Sequence, residues 1–342
     1  MKNKITVIIP VYNVEKYIGK CLDSLLKQTI STFDILVVND GSVDNSINII
    51  NDYYKEYPNR FDIVNKVNGG YGSVLEYSIK VIKTDYFLVC DPDDYLHKDA
   101  IKNLLDNLND DIDILIGTKA FVYENSDDID LDLSYNDNYV TLLDNKVYDN
   151  SDESFNDLYF VDPSPHSKVY KKSLLKNIPF IKKVPYTDNI LFYIALIRSK
   201  SVKYINIICS YYLIDRDGNT MTNIKPDIIK YHCEVFLHIL LVSDRFKNNN
   251  SMLYYRMFLA YKYIFNKLYD IKGSKKDIIN QSKYLYELLD KLNKFDISIK
   301  KKYQKYYKGS LKEQRNDFLL LSKFSYLVFK YNIIKVIKEQ GL

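Results

Sequence analysis

Residues 35–42 read ILVVNDGS, a short apolar run that ends in an acidic turn, and residues 86–94 read YFLVCDPDD, a second example of the same arrangement. Apolar runs of four or five residues bounded by turn residues are typical of buried strands. In an open α/β sheet, ligands bind just outside the carboxyl ends of the strands, so two such turns can meet at one crevice. The sequence therefore predicts one site where carboxylates converge on a divalent cation and a phosphorylated ligand.

Strand and helix patterns alternate along the first part of the chain. Residues 5–9 are predicted to form a buried strand that stops at Pro10, and Asn13 is expected to cap a helix over residues 14–26. Further strands are predicted at residues 35–38, 61–64, 86–90, 113–116, 169–170 and 202–214, and helices at residues 44–57, 73–82, 99–108 and 188–197. This alternation predicts an α/β fold, in which a mostly parallel sheet carries helices on both faces.

Charge divides the chain near residue 225. From Pro226 onward, 23 Lys and Arg stand against 11 Asp and Glu, a net charge of +12, whereas residues 1–225 carry a net charge of −8. We expect an α/β domain over residues 1–225, with a surface excursion at the acidic residues 123–152, and a basic helical region over residues 226–342. A basic surface attracts anionic lipid, an anionic polymer or nucleic acid.

The last predicted helix, residues 317–338, is amphipathic and basic, and two interpretations remain open for it. Its apolar side lies in a membrane interface, or that side packs on the other helices of the tail while the lysines are solvated. The four cysteines are far apart and sit in apolar runs, which indicates buried, reduced thiols. With no secretory signal and no apolar run of about twenty residues, we expect a cytoplasmic protein, with peripheral contact at the inner face of the plasma membrane.

The acidic turns have the chemistry needed for a nucleotide sugar. Asp40 ends the second strand, where it can accept hydrogen bonds from a nucleobase or ribose. Asp91, Asp93 and Asp94 supply carboxylate oxygens, which Mg²⁺ and Mn²⁺ bind together with diphosphate oxygens. A metal ion held there acts as a Lewis acid on the departing diphosphate.

The motifs taken together resemble family 2 glycosyltransferases with the GT-A fold, a Rossmann-like architecture, of the type that builds bacterial cell-surface polysaccharides. The resemblance is close over about the first hundred residues and fades through residue 220. It is carried by IIPVYNVEKY at residues 8–17, CLDSLLKQT at residues 21–29, NDGSVDNS at residues 39–46, NGG at residues 68–70 and DPDDY at residues 91–95.

The resemblance implies an inverting, metal-dependent transferase that moves a single sugar, a hexose or an N-acetylhexosamine, from a nucleotide sugar, with UDP-sugars favoured. The acceptor would be a hydroxyl of a glycan, a lipid-linked molecule or a cell-surface polymer. By position, Asp93 would be the principal metal ligand with Asp91, the cation would be Mn²⁺ or Mg²⁺, and Asp188 would be the catalytic base. The nucleotide-sugar site would comprise Pro10, Val11, Tyr12, Asn13, Asp40, Lys66, Asn68, Gly69, Gly70, Asp91, Pro92 and Asp93.

Three departures from the family pattern bear on these assignments. Asn39 replaces the more usual first Asp of the Asp-Asp-Gly-Ser motif, in which the second Asp carries the contact. The arginine that often follows the glycine pair is missing from residues 71–77, so Lys66 or Arg216 is expected to contact the diphosphate. There is no Gln-x-x-Arg-Trp motif and no Trp, which disfavours a processive synthase. His166 either touches the diphosphate or acceptor, or is a loop histidine whose hydrogen bonds are satisfied locally.

Two other classes of protein remain open alternatives. A sugar-phosphate nucleotidyltransferase would share the α/β sheet and the metal, but residues 10–13 do not supply its glycine-rich phosphate loop. A non-catalytic glycan-binding or nucleic-acid-binding protein would use the basic tail as its working surface, but it would not need the acidic residues that are present here. We expect a nucleotide sugar and a glycan or lipid-linked acceptor as ligands, no nucleic acid, and self-association as a further use of the tail.

Overall fold

The computed structural model describes residues 3–216, 227–246, 251–271, 274–293, 306, 320 and 325–341. The chain divides into two compact units, Met1–Asn223 and Ile224–Leu342. The elements of the first unit are, in chain order, β1 (Ile5–Val11), α1 (Ile18–Leu26), β2 (Asp34–Asn39), α2 (Ser46–Glu56), β3 (Asp62–Asn65), α3 (Tyr71–Val81), β4 (Tyr86–Val89), β5 (Tyr95–Leu96), α4 (Ala100–Asp106), β6 (Ile114–Tyr123), β7 (Ser126–Asp132), β8 (Val147–Asp149), β9 (Lys168–Lys171), α5 (Asp188–Arg198) and β10 (Ser201–Leu213).

One sheet organises the first unit. Its strand order is β3-β2-β1-β4-β9-β6-β10-β5, and β7 and β8 pair with β6 and β10. The pairs β1–β2, β1–β4, β2–β3 and β6–β10 are parallel, whereas β9 is antiparallel to both β4 and β6. Because β1 lies between β2 and β4, the chain reverses its direction of strand addition there, and the three strands end at the same edge. The predicted α/β fold is confirmed.

Alternate side chains of β1 face two different layers. Ile5, Val7, Ile9 and Val11 pack in one core with residues of α1, α2 and α4, whereas α3 also contacts β1 and β2. All seven residues of β1 are buried, as expected for a central parallel strand. Contrary to the prediction, β1 continues through Pro10 to Val11. Pairing of β1 with β4 ends at Ile8, so the missing N–H of Pro10 removes no hydrogen bond between these two strands.

Two further predictions need correction. Asn13 does not cap a helix: α1 begins at Ile18, and the Asn13 side chain instead accepts a hydrogen bond from the N–H of Val43 at 2.8 Å. The acidic residues 123–152 are not only an excursion, because they contain the strands β7 and β8. The side chains of β7 are exposed on both faces, and a strand of this kind lacks the apolar alternation on which its prediction depends.

The second unit is helical. Its described elements are α6 (Ile228–Ser243), α7 (Ser251–Asn266), a short 3₁₀ helix (Lys267–Asp270), α8 (Lys275–Asn293) and α9 (Ser325–Glu339). On α9, Phe329, Ile333, Val336 and Ile337 are buried, and the Phe329 ring lies 5.5 Å from that of Tyr286 on α8. This side of α9 therefore packs on another helix of the tail, which was one of the two interpretations of the sequence. Tyr326, Leu327, Tyr331 and Ile334 are exposed, and residues 317–319 and 321–324 of the predicted helix lie outside the described residues.

Within the described part of the chain, every helix is too short or too polar to cross a bilayer.

Candidate active site

The loops that follow β1 and β2 are joined by hydrogen bonds. The N–H of Val14 donates to Ser46 Oγ at 2.9 Å, and the N–H of Asn45 donates to a Glu15 carboxylate oxygen at 2.7 Å. Asn13 adopts a left-handed conformation with φ +52°, which directs its side chain towards the Val43 N–H. These contacts fix the loop that carries Asn13 against the first acidic turn.

Asp40, in the first acidic turn, holds the glycine loop. Its buried carboxylate accepts hydrogen bonds from the N–H of Gly69 at 3.0 Å and of Gly70 at 2.7 Å. The same carboxylate forms an ion pair with Lys66, whose ammonium group also donates to Ser73 Oγ at 2.8 Å. Both oxygens of Asp40 therefore have partners within the protein.

The glycine loop, residues 69–72, packs closely against the segment that leads into α5. A side chain at Gly70, which has φ +81°, would place its Cβ 2.7 Å from the backbone nitrogen of Lys183. A Cβ at Gly72 would lie 2.4 Å from the carbonyl oxygen of Ile181. The N–H of Lys183 also donates to the Gly69 carbonyl at 2.9 Å. Glycine is required here because the two backbones touch.

The second acidic turn brings two of its aspartates next to a histidine from a distant loop. Asp94 is only 2% exposed; it accepts the N–H of Leu213 at 2.8 Å, and a 2.5 Å hydrogen bond joins it to His166 Nε2. Asp91 accepts a hydrogen bond from the hydroxyl of Tyr71 at 2.9 Å. Ligand atoms of Asp91, Asp94 and His166 all lie within 4.8 Å of one another.

The carboxylates of this cluster are poorly compensated by the protein. Burial, followed by the neighbouring charges of Asp93 and Asp94, raises the pKa of Asp91 to about 7, although His166 acts against this rise. Burial and Asp93 likewise raise the pKa of Asp94 well above its usual range. Burial lowers the pKa of His166 to about 4, so its ring is neutral at pH 7. Crowded carboxylates beside a neutral imidazole are suited to bind a cation.

Asp91, Asp94 and His166 fit a divalent metal ion. Two carboxylates and one imidazole are a donor set that Mn²⁺ accepts and that Mg²⁺ tolerates less well, since Mg²⁺ prefers oxygen ligands. The ring nitrogen Nδ1 of His166 is buried and has no hydrogen-bond partner among the described residues, which leaves it available to a ligand. Asp93, the predicted principal ligand, is outside this cluster and forms an ion pair with Arg216 instead.

Asp188, the predicted base, is the first residue of α5, and the N-cap is Thr187. Burial and the charge of Asp162 raise the pKa of Asp188 to about 6. The charges of Asp188 and Asp91 both contribute to the raised pKa of Tyr71, and His166 acts on Asp188, so these groups share one electrostatic environment. A pKa near 6 suits a group that must be ionised at neutral pH yet accept a proton.

A network of buried lysines supports the loop that carries His166. Lys119 is 1% exposed and forms an ion pair with Asp162, and its ammonium group also donates to Ser164 Oγ at 3.0 Å. Lys168 is fully buried, and it donates to the carbonyl oxygens of Ser164 at 2.8 Å and His166 at 3.3 Å. Burial lowers the pKa of Lys168 to about 7. These contacts fix the backbone on both sides of His166.

The sequence-predicted residues are distributed over this edge of the sheet. Pro10 and Val11 are buried in β1, Pro92 is buried in the second turn, and Tyr12 is 50% exposed. Asn68 follows Lys66 in the same loop and lies against Gly41. Sequence reasoning did not find Tyr71, Lys119 or Lys168. Tyr71 directly follows the glycine pair, a position that could have drawn attention, whereas nothing in the pattern around the two lysines distinguishes them from solvated ones.

The fold and the site gather acidic side chains at the carboxyl ends of β1, β2 and β4, the place where proteins of the α/β class bind their ligands. The chain belongs to glycosyltransferase family 2, because the model of that family, "Glycosyl transferase family 2", matches residues 6–178. The predicted family is therefore confirmed.

Bacterial glycosyltransferases are among the relatives. A poly(ribitol-phosphate) beta-glucosyltransferase of Bacillus spizizenii is 31% identical over 64% of this chain and 33% of its own length. An uncharacterised glycosyltransferase of Mycoplasma genitalium is 31% identical over 67% of this chain and 75% of its own length. The chain spans about a third of the length of the first curated relatives it matches.

The solved structures show the same fold. Residues 1–349 of S. aureus TarS, in complex with UDP-GlcNAc, align with a TM-score of 0.69 at 20% identity, over 99% of this chain and 92% of that one. The first unit thus has the GT-A fold, as predicted.

Proposed function

We propose that the protein is an inverting, metal-dependent glycosyltransferase that moves a single sugar from a nucleotide sugar to an acceptor hydroxyl. One observation carries the proposal: Asp91, Asp94 and His166 converge at one edge of the sheet, and His166 also acts on the buried carboxylate of Asp188. A cation site beside a carboxylate of raised pKa provides the two functions that the reaction needs, support of the departing diphosphate and removal of a proton.

Asp91, Asp94 and His166 would hold the metal ion, with Mn²⁺ favoured by the imidazole. The bound ion would neutralise the diphosphate leaving group as a Lewis acid. Asp93 lies at the same turn and forms an ion pair with Arg216, which follows β10. Asp93 is proposed to contact the diphosphate or to enter the metal's coordination when this ion pair opens. Lys66, in its contact with Asp40, supplies a further positive charge near the glycine loop.

Asp188 is proposed as the catalytic base. As the acceptor oxygen bonds to the anomeric carbon, the bond from that carbon to the phosphate oxygen breaks, and Asp188 takes the acceptor's proton. Displacement in one step from the side opposite the leaving group inverts the anomeric configuration. The raised pKa of Asp188, about 6, allows it to be ionised before the step and protonated during it.

The donor site is proposed at the ends of β1, β2 and β3. Pro10, Val11, Tyr12 and Asn13 line one side, and Asn68, Gly69 and Gly70 line the other. Because Asp40 already accepts two N–H groups, its first role would be to position the glycine loop, and its predicted contact with the nucleoside would be added to these hydrogen bonds. UDP-sugars are the first choice of donor, since TarS was solved with UDP-GlcNAc.

The acceptor is proposed to be a glycan, lipid-linked or cell-surface polymer hydroxyl, in line with the poly(ribitol-phosphate) substrate in the name of the Bacillus relative. The net charge of +12 from Pro226 onward would attract such a polymer if it is anionic, or the anionic lipid of the inner membrane face. The proposed location is the cytoplasm, at the inner face of the plasma membrane, with the helical unit as the contact to acceptor, membrane or a second copy.

The test is a panel of UDP-glucose, UDP-GlcNAc, UDP-galactose and GDP-mannose incubated with Mn²⁺. We expect release of one nucleoside diphosphate, abolished by EDTA and restored by Mn²⁺, and faster release when the acceptor is added. Proton NMR of the product should show the anomeric configuration opposite to that of the donor. Retention of configuration would contradict the role of Asp188, and no binding or turnover of any donor would contradict the proposed activity.

A further inference from the structure

We propose that Tyr71 is a positioning residue: its hydroxyl holds the Asp91 carboxylate in place for the cation and so connects the two acidic turns. This inference rests on the proposed function, and it assigns a role to a residue that no family motif marked. The connection runs from Asp40 through the backbone of the glycine loop to Tyr71, and from there to Asp91.

The first link of this connection is Asp40. Its carboxylate accepts the N–H groups of Gly69 and Gly70, the two residues that precede Tyr71. Gly70 is the N-cap of α3, and Tyr71 is the first residue of that helix. Because Asp40 fixes the residue before the helix, the direction in which the Tyr71 side chain leaves the backbone is fixed as well.

The second link is the packing beneath Tyr71. Gly72 lies so close to Ile181 that a Cβ would approach its carbonyl oxygen to 2.4 Å, and Lys183 donates its N–H to Gly69. The loop is therefore clamped between the first acidic turn and the segment before α5. A tyrosine that starts from this clamped loop has little freedom to move its ring.

The third link is the hydrogen bond itself. The Tyr71 hydroxyl donates to Asp91 Oδ1 at 2.9 Å. A hydrogen bond to a charged acceptor contributes more than one between neutral groups, and it leaves Oδ2 of Asp91 for another partner. Asp91 is also the one carboxylate of the three-residue cluster that is not buried completely, so a fixed orientation matters most for this ligand.

Groups that orient a metal ligand change the metal's affinity without touching the metal. Loss of such a partner typically weakens metal binding by about 10- to 100-fold. The arginine that the family often carries is absent from residues 71–77, and Leu75 in this segment is buried in the core. Tyr71 is thus the residue of this segment whose side chain reaches the acidic turn.

The test compares Tyr71→Phe with the wild-type protein by titration with Mn²⁺ alone, following free Mn²⁺ by electron paramagnetic resonance. The variant keeps the ring and removes one hydroxyl. We expect its dissociation constant for Mn²⁺ to rise about tenfold, with a melting temperature close to that of the wild type. A mere packing role would lower the melting temperature and leave the affinity unchanged, and a variant that failed to fold would likewise overturn a positioning role.

Tyr86→Phe is the matched control. The buried hydroxyl of Tyr86 donates to the carbonyl oxygens of Ile112 at 2.9 Å and Asn109 at 3.1 Å, at the start of β4 and away from the acidic turn. Its removal should lower the melting temperature, because two buried carbonyl groups lose their partner, without changing Mn²⁺ affinity. An equal loss of affinity in both variants would contradict the proposal.

A double-mutant cycle shows whether Tyr71 acts through Asp91. In the Asp91→Asn background, Tyr71→Phe should change the Mn²⁺ dissociation constant by less than about twofold, because the charged acceptor is gone. A full tenfold effect in that background would overturn the inference. Since the readout is metal binding, wild-type protein that does not bind Mn²⁺ would instead refute the proposed metal site, and the two failures are distinguishable.

Discussion

The two acidic turns lie at the same edge of the sheet, but the protein compensates the carboxylate charge in only one of them. Asp40 is buried, but two backbone N–H groups and Lys66 compensate its charge within the protein. Asp91 and Asp94 have few compensating partners, and burial together with the charge of Asp93 raises the pKa of both. A compensated carboxylate therefore fixes the architecture, whereas crowded carboxylates are left available to a cation, although the two stretches of sequence look alike.

The largest effect on the transfer rate is expected from Asp188→Asn, which tests whether the carboxylate of raised pKa is the catalytic base. A general base contributes about 10²- to 10⁴-fold, so the transfer rate should fall by that factor while UDP and Mn²⁺ binding persist. In the wild type, the rate should fall as the pH drops below about 6, because Asp188 must be ionised. Single-turnover kinetics from pH 5 to 8 provide the measurement, and full activity of the variant would reject the assignment.

The comparison itself is tested by Asp40→Asn and Asp94→Asn. Asp40→Asn leaves the Lys66 charge without its partner, and breaking a buried pair costs about 3–5 kcal/mol of stability. Asp94→Asn keeps an oxygen to accept the Leu213 N–H and removes a repelled charge, so the metal-free protein should lose little stability. Urea unfolding with and without Mn²⁺ measures both.

A metal ion that binds only the folded state increases the free energy of unfolding as its concentration rises. In these measurements, only the Asp94 variant should lose this stabilisation by Mn²⁺. The reverse pattern, a destabilised Asp94 variant and a stable Asp40 variant, would contradict the distinction between the two turns.

A smaller effect is expected from pH on the metal-free protein. Because the folded-state pKa of Asp91 is about 7, above the usual value near 4, the folded state keeps a proton there that the unfolded chain has released. The stability from Asp91 is therefore present below about pH 4 and lost as the pH rises to about 7. Asp91→Asn should gain stability relative to the wild type across this range, as followed by thermal melts, and Mn²⁺ should reduce that gain. A difference in melting temperature between the two proteins that stays constant with pH would contradict the raised pKa of Asp91.

The sequence predicted the order of strands and helices well, because local patterns determine them. It placed Asp40 and Asp91 at one edge correctly, since both directly follow buried parallel strands. It did not predict that His166 reaches Asp94 across 72 residues, because this contact depends on the antiparallel insertion of β9 beside β4. It also did not predict that Asp93 pairs with Arg216, because that contact depends on the antiparallel pairing of β10 with β5. It also missed Tyr71, since a tyrosine among 33 has no local pattern that marks a hydrogen bond to a distant turn.

The smallest effect, and one of opposite sign, is expected from Arg216→Ala. Arg216 forms an ion pair with Asp93, and its charge lowers the pKa of Asp94, so it partly offsets the negative charge that attracts a cation. Removing one partly exposed charge changes an interaction by about 0.5–1 kcal/mol, which corresponds to Mn²⁺ binding about two- to fivefold tighter. The donor, in contrast, should bind more weakly, because the diphosphate loses a positive partner. Mn²⁺ titration without nucleotide and UDP titration with saturating Mn²⁺ separate the two effects. If Arg216→Ala weakened Mn²⁺ binding, the ion pair with Asp93 would be part of the support of the metal site, and the second turn would resemble the first more closely than its pKa values indicate.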